Sequence, residues 1–190
     1  MVFNGAIFRS EYDDKQESIL IPVNLANVAT VIRNAASMEM NGLELELMYQ
    51  VTEAWDLMVT YGYLEAEYKD YLADLTGDGV ITDNSGLIPR NTPENTFGIT
   101  TSYTTQVGDG ELKGRISYRF RDEMNSDSSN NPYGDLDSIE NVNATINYSI
   151  DNYSITIWGR NLTDEREQRW ATIGGLTSRG WWNEPQTLGI

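Results

Sequence analysis

A chain of 190 residues is long enough for one domain or for a piece of a larger one, and its 29 acidic against 13 basic side chains leave a formal charge of −16. That sign excludes holding a phosphate backbone by counterion release, so no nucleic acid is expected as a partner, and the absence of cysteine and histidine removes disulfides, thiolate metal sites and the commonest general base. No run of 18 apolar residues and no basic-then-apolar leader is present, so any membrane crossing must use strands.

In chain order, the first predicted strand is 2–12, where Met1 leads straight into Val2-Phe3-Asn4-Gly5-Ala6-Ile7-Phe8; the chain therefore reads as truncated at its start. A long polar loop is expected at about 13–34. The strand 35–50 carries the clearest period of two: Leu43, Leu45, Leu47 and Tyr49 on one face, Glu44 and Glu46 on the other. A tight turn at Val51 to Ala54 leads to a strand at 55–68, and a second long loop is expected at 69–92.

That loop holds the sharpest local pattern, Asp74-Leu75-Thr76-Gly77-Asp78-Gly79-Val80-Ile81-Thr82. Counting Asp74 as the first position, side-chain oxygens of Asp74, Thr76, Asp78 and Thr82 and the carbonyl of Val80 fall where a calcium loop needs ligands, with Gly79 at the turn. Ser85 stands where the bidentate glutamate belongs, and the alternative is a glycine-rich turn whose aspartates accept backbone hydrogen bonds. No cofactor other than calcium is indicated.

Strands at 93–104 and 111–121 flank a tight turn at Thr105 to Gly110. In the second of them Lys113, Arg115, Arg119 and Arg121 oppose an apolar face, a basic stripe suited to an anionic ligand or to pairing with carboxylates such as Glu44 and Glu46. A polar loop at about 122–139 leads to strands at 140–150 and 153–161, joined through Asp151-Asn152. The last long loop, 162–184, gathers Trp170, Trp181 and Trp182 with Arg166, Arg169 and Arg179, either to stack on a ligand or to line a rim. A final strand is expected at 185–190. No nucleophile and base fall in a catalytic arrangement, so the reading is not an enzyme.

The fold class that results is all-β, an antiparallel up-and-down meander of about eight strands and part of a large transmembrane β-barrel. Every tight turn falls at one end and every long loop at the other, as in outer-membrane barrels. Strands of about 9–11 residues suit a tilted crossing, and Tyr49, Trp55, Tyr148 and Tyr153 beside the turns, with Tyr61, Tyr63 and Tyr68 nearer a loop, suit two interfacial girdles. Leu45, Leu47, Ile116, Ile146 and Ile155 are then expected to face lipid, and Glu44, Glu46, Arg115 and Asn143 the lumen.

Asn34-Ala35-Ala36-Ser37 running into Gly42-Leu43-Glu44-Leu45-Glu46, then Tyr61-Gly62-Tyr63, Ile88-Pro89-Arg90-Asn91-Thr92-Pro93-Glu94-Asn95, Gly159-Arg160-Asn161-Leu162-Thr163-Asp164-Glu165 and Glu184-Pro185-Gln186, stand in an order that resembles the TonB-dependent receptors of the outer membrane. The resemblance implies that 1–190 is the C-terminal segment of a barrel of about 22 strands around a plug. It also implies a Gram-negative outer-membrane location among lipid and lipopolysaccharide. The implied function is active transport of a scarce small molecule, of the siderophore, vitamin or oligosaccharide class, energised by TonB through the missing plug. The absence of histidine argues against haem ligation by this portion. Two alternatives stay open: a small closed eight-stranded barrel with a structural or adhesive role, and a soluble calcium-stabilised β-domain that binds carbohydrate.

Overall fold

The computed structural model describes residues 1–24, 27–174 and 177–190, and of these all side chains except those of residues 19–24, 27, 28, 30, 33, 35, 170–174 and 177–179. The elements are β1 (Val2–Asn24), β2 (Asn27–Thr52), β3 (Trp55–Ala73), β4 (Thr82–Asp83), β5 (Asn95–Val107), β6 (Gly110–Arg121), β7 (Met124–Asn125), a 3-10 turn (Pro132–Gly134), β8 (Asp135–Leu136), β9 (Ile139–Ile150), β10 (Tyr153–Arg160), β11 (Gln168–Gly174), β12 (Thr177–Trp182) and β13 (Thr187–Gly189). Eight of these form one antiparallel path, β1-β2-β3-β5-β6-β9-β10-β13, with β4 added beside β3. The meander follows the alternation in the sequence. Among the described residues β1 and β13 do not pair with each other, so the sheet is open, unlike the small closed barrel.

Two expected loops turn out to be largely strand. The polar stretch 13–34 continues the β1–β2 ladder, with Glu17 opposite Arg33 and Pro22 opposite Val28. Asp13-Asp14 marks a register shift between Tyr12 and Lys15, where Asp14 takes φ 55°, so the acidic pair encodes a bulge and not a loop. Polar side chains on both faces read as loop only if one face must be apolar; beyond the bilayer, water meets them. Likewise 162–184 contains the β11–β12 hairpin. In the other direction, β5 and β13 begin two residues after Pro93 and Pro185, which lack the N–H a ladder needs.

Register places the faces. Glu46, Thr60, Gly98 and Arg119 lie side by side across β2, β3, β5 and β6, continuing to Asn141 on β9. The opposite face carries Leu47, Val59, Ile99 and Tyr118 in line. On that apolar face Ile116, Ile146, Ile155 and Ile157 are 52–60% exposed, so it packs into no core; a soluble domain would bury it, a bilayer would cover it. Tyr49, Trp55, Tyr103, Tyr148 and Tyr153 stand on this face near the tight turns. Tyr61, Tyr63, Phe97, Tyr118 and Phe120 form a second band six to eight residues along the strands, roughly 20–27 Å away. The two bands bracket an apolar zone as the girdles of a transmembrane barrel do.

The turns are locally encoded. Gly108 and Asp151 take φ 63° and 50° at the first turn position, a region open to glycine and, among residues with a side chain, least costly for asparagine and aspartate. Gly42 answers to a close approach: the Phe8 ring lies over it, and a Cβ there would sit 2.2 Å from that ring.

The buried cluster lies where the strands outrun the second girdle. Ala36, Met38, Tyr68, Tyr71 and Ala73 pack together, with Met40, Leu75 and Leu87 against them. Met38 and Tyr68 share the face of Glu44 and Glu46, so this core sits on the polar side of the sheet, the side turned to the lumen in a barrel.

Candidate functional site

The polar wall is segregated by charge. Lys113, Arg115, Arg119 and Arg121 alternate along β6. Their neighbours on β5 are Thr104, Ser102, Gly98 and Thr96; on β9 they are Asn147, Thr145, Asn141 and Ile139. Neither adjacent strand offers a carboxylate on this face. Glu44 and Glu46 stand on β2, three strands away and so roughly 14 Å at the usual strand spacing, and Glu46 accepts a hydrogen bond from Asn4 instead. Among the described residues no ion pair involves any of the four cations. Arg121 is the exception to a free stripe, because it donates to the carbonyls of Asp122 (3.0 Å) and Asp137 (3.1 Å) and braces the loop above it.

Two recesses open at the loop end of this wall and meet at Met124. The first, about 470 Å³, is lined by Thr60, Thr96, Arg119, Arg121, Asn141 and Arg169. The second, about 720 Å³, is lined by Glu65, Glu94, Asp122, Glu123, Asp135 and Asp137. The first concentrates three guanidinium groups beside neutral hydrogen-bonding side chains, an arrangement that attracts anions.

The residues of the sequence motifs that stand at strand ends prove to be fasteners. Asn161, 4% exposed and at φ 48°, donates to the carbonyls of Glu165 (2.9 Å) and Glu184 (3.0 Å) and accepts from the Glu165 N–H. It pins the root of the last long loop. Asn95 accepts the Tyr61 hydroxyl at 2.7 Å and donates to Asp122 at 2.7 Å, tying β3, β5 and the loop after β6.

In the 74–82 loop, Asp74 accepts from the N–H groups of Thr76 (3.2 Å), Gly77 (2.7 Å) and Gly79 (2.7 Å), and Asp78 from that of Val80 (2.8 Å). Burial raises the Asp74 carboxyl, but the hydrogen bonds from Gly79, Gly77 and Thr76 together outweigh it and hold the group below its ordinary value. Thr82 donates to the carbonyl of Ala73 and to Asn84, and the Val80 side chain is exposed. Among the described residues no group of three or more carboxylates gathers as metal ligands, and Asp74 Oδ2 accepts one N–H, that of Gly79, leaving a lone pair free. These bonds are the ones that the alternative reading, a glycine-rich turn, calls for.

Of the last loop, Trp181 and Trp182 are 71% and 60% exposed and Arg166 and Arg169 are exposed, while the side chains of Trp170 and Arg179 lie outside the described residues. Sequence reasoning missed Glu167 and Glu17. Glu167 is buried with neither carboxylate oxygen hydrogen-bonded; burial, then Glu165, raises it above the usual carboxylate range against the pull of Arg169 and Arg121. Glu17 is fully buried, accepting from Lys15 and, at 2.8 Å, from the Tyr68 hydroxyl. Burial, with Tyr71 beside it, pushes that hydroxyl up to about 12, so it remains a donor. No sequence signal marks Glu17, which stands in a run of polar residues like any loop.

Residues 1–162 match the family model described as TonB dependent receptor-like, beta-barrel. Among solved structures, the chain is similar to the ferric yersiniabactin uptake receptor FyuA of Yersinia pestis, with TM-score 0.76 and 16% identity over 98% of this chain and 26% of that one. It is likewise similar to the siderophore receptor PiuA of Acinetobacter baumannii (TM-score 0.72, 21% identity, 98% and 25%) and to the ferric-catecholate import receptor Fiu of E. coli K12 (0.66, 18%, 98% and 24%). At these identities the likeness shows the fold, and the chain spans about a quarter of each of those proteins. The order of motifs, the open eight-stranded meander with its two girdles and the family match agree: this chain belongs to the TonB-dependent receptor family and forms part of its transmembrane β-barrel.

Proposed function

We propose that this chain is the C-terminal barrel segment of an active-transport receptor in a Gram-negative outer membrane, importing a scarce anionic small molecule of the ferric-siderophore class. TonB would supply the energy through a plug carried elsewhere in the protein, and outer-membrane lipid and lipopolysaccharide would surround the apolar face. Family membership supports the transport role, and the named functions of FyuA, PiuA and Fiu support the siderophore class over vitamins or oligosaccharides.

The observation that carries the anionic ligand is the β6 stripe without carboxylates on either flank, leading to the recess of Arg119 and Arg169. Stranded cations on a polar wall raise the local concentration of an anion and orient it, the more so where low-dielectric walls focus the field. The test is Arg119→Gln in the full-length receptor, with binding of an anionic ferric catecholate and a neutral ferric hydroxamate measured in parallel. Loss of one charge-assisted contact, about 1.5–3 kcal/mol, should weaken the anionic ligand by about 10- to 150-fold and spare the neutral one. Equal loss for both would reduce Arg119 to a scaffold residue.

A further inference from the structure

Three separate stretches of chain meet on the polar side of the extended β1–β2–β3 wall. From the wall come Lys15, Glu17, Tyr68 and Tyr71, the two tyrosine rings 4.6 Å apart. From the loop after β4 comes Arg90, whose guanidinium stands 3.6 Å from the second Glu17 carboxylate oxygen, itself buried and without a hydrogen bond. From the loop after β6 comes Ser128, which donates to the Ser18 carbonyl at 3.3 Å.

The two loops are also fastened to each other. Asn130, at φ 49°, clasps Ile88 with both ends of its amide: it accepts from the Ile88 N–H at 2.7 Å and donates to the Ile88 carbonyl at 2.8 Å. Three residues on, the Asn91 N–H donates to the Asn125 carbonyl at 2.8 Å. At their roots, Asp122 accepts from the Asn95 backbone and side chain. The two loops are thus fastened to each other along their length, and both overlie a face that carries Tyr71, fully buried.

We propose that the loops 74–94 and 122–138 form a single lid that folds inward over the lumen side of the β1–β3 wall, latched there by Glu17 through Arg90. The lid therefore opens and closes as one body. Loss of either charge releases the latch: without Arg90 the buried second oxygen of Glu17 has no counter-ion, and without Glu17 the half-exposed Arg90 loses its partner on the wall. The Asn130 clasp transmits that loss from one loop to the next.

Amide hydrogen exchange on the full-length protein in detergent micelles tests this, read in peptides covering 86–92 and 124–131 with 56–62 as the reference within the transmembrane strand. Glu17→Gln is expected to speed exchange in both loop peptides together, tenfold or more, and to leave 56–62 unchanged. Asn130→Ala, which opens the clasp and leaves both charges of the latch in place, is expected to speed both as well. Response of one loop peptide alone in either variant, or of neither, overturns the single lid. If Glu17→Gln also accelerates 56–62, the barrel itself is disturbed, and Arg90→Gln, which removes the latch from its exposed partner, decides by the same two outcomes.

Discussion

Val59 and Thr60 are neighbours on β3 that the fold sends to opposite solvents, and arginine at each measures that directly. Val59 lies between Leu47 and Ile99 on the apolar face, four residues from Trp55 and four from Tyr63, so roughly 13 Å along the strand from each girdle and near the middle of the bilayer. Thr60 lies between Glu46 and Gly98 on the polar face, at the same depth within one residue. Val59→Arg should cost about 2–4 kcal/mol, the penalty of arginine at the midplane of a barrel's lipid face, which shifts the unfolding equilibrium by about 30- to 900-fold. Thr60→Arg should lie within about 1 kcal/mol of the parent, because a cross-strand cation opposite Glu46 gains about 0.2–1 kcal/mol and lumen positions are wet. The assay is a urea titration of the full-length receptor folded into lipid vesicles, followed by tryptophan fluorescence. A Thr60→Arg penalty equal to or above that of Val59→Arg would refute the face assignment, and with it the lumen position of the β6 stripe.

Asp74→Ala should loosen residues 74–83, seen as faster exchange of the Gly77 and Gly79 amides. Because the folded Asp74 carboxyl is held below its ordinary value, its contribution is present above the unfolded value and is lost as pH falls through the depressed one; protection of those amides should therefore hold at neutral pH and fade in acid. If the loop binds calcium, replacing both Asp74 and Asp78 should abolish calcium uptake measured by calorimetry on the full-length receptor, and unchanged uptake in that variant removes the loop as a site. Expressed alone and without detergent, the 190-residue chain should aggregate through the free edges of β1 and β13 and through its exposed apolar face, and a monodisperse monomer with a cooperative thermal transition would contradict that.

What the sequence determined by itself was whatever depends on neighbours along the chain. Alternation at Leu43-Glu44-Leu45-Glu46-Leu47 suffices to assign both faces of a strand, because side chains reverse at every residue and one face must meet an apolar medium. Gly108 and Asp151 likewise announce their turns through the backbone angles they tolerate. The tertiary structure alone decided what depends on which strands become neighbours. Glu44 and Glu46 look like partners for Arg115 until the meander sets two strands between them, and only the folded loop shows that the aspartates of 74–82 accept its own N–H groups. Glu17 shows the limit most plainly. In sequence it is one polar residue among several, and its burial against Tyr68 and Arg90 comes from chain 51 and 73 residues away, packing over a strand that runs on past the membrane where periodicity no longer distinguishes an inner from an outer face.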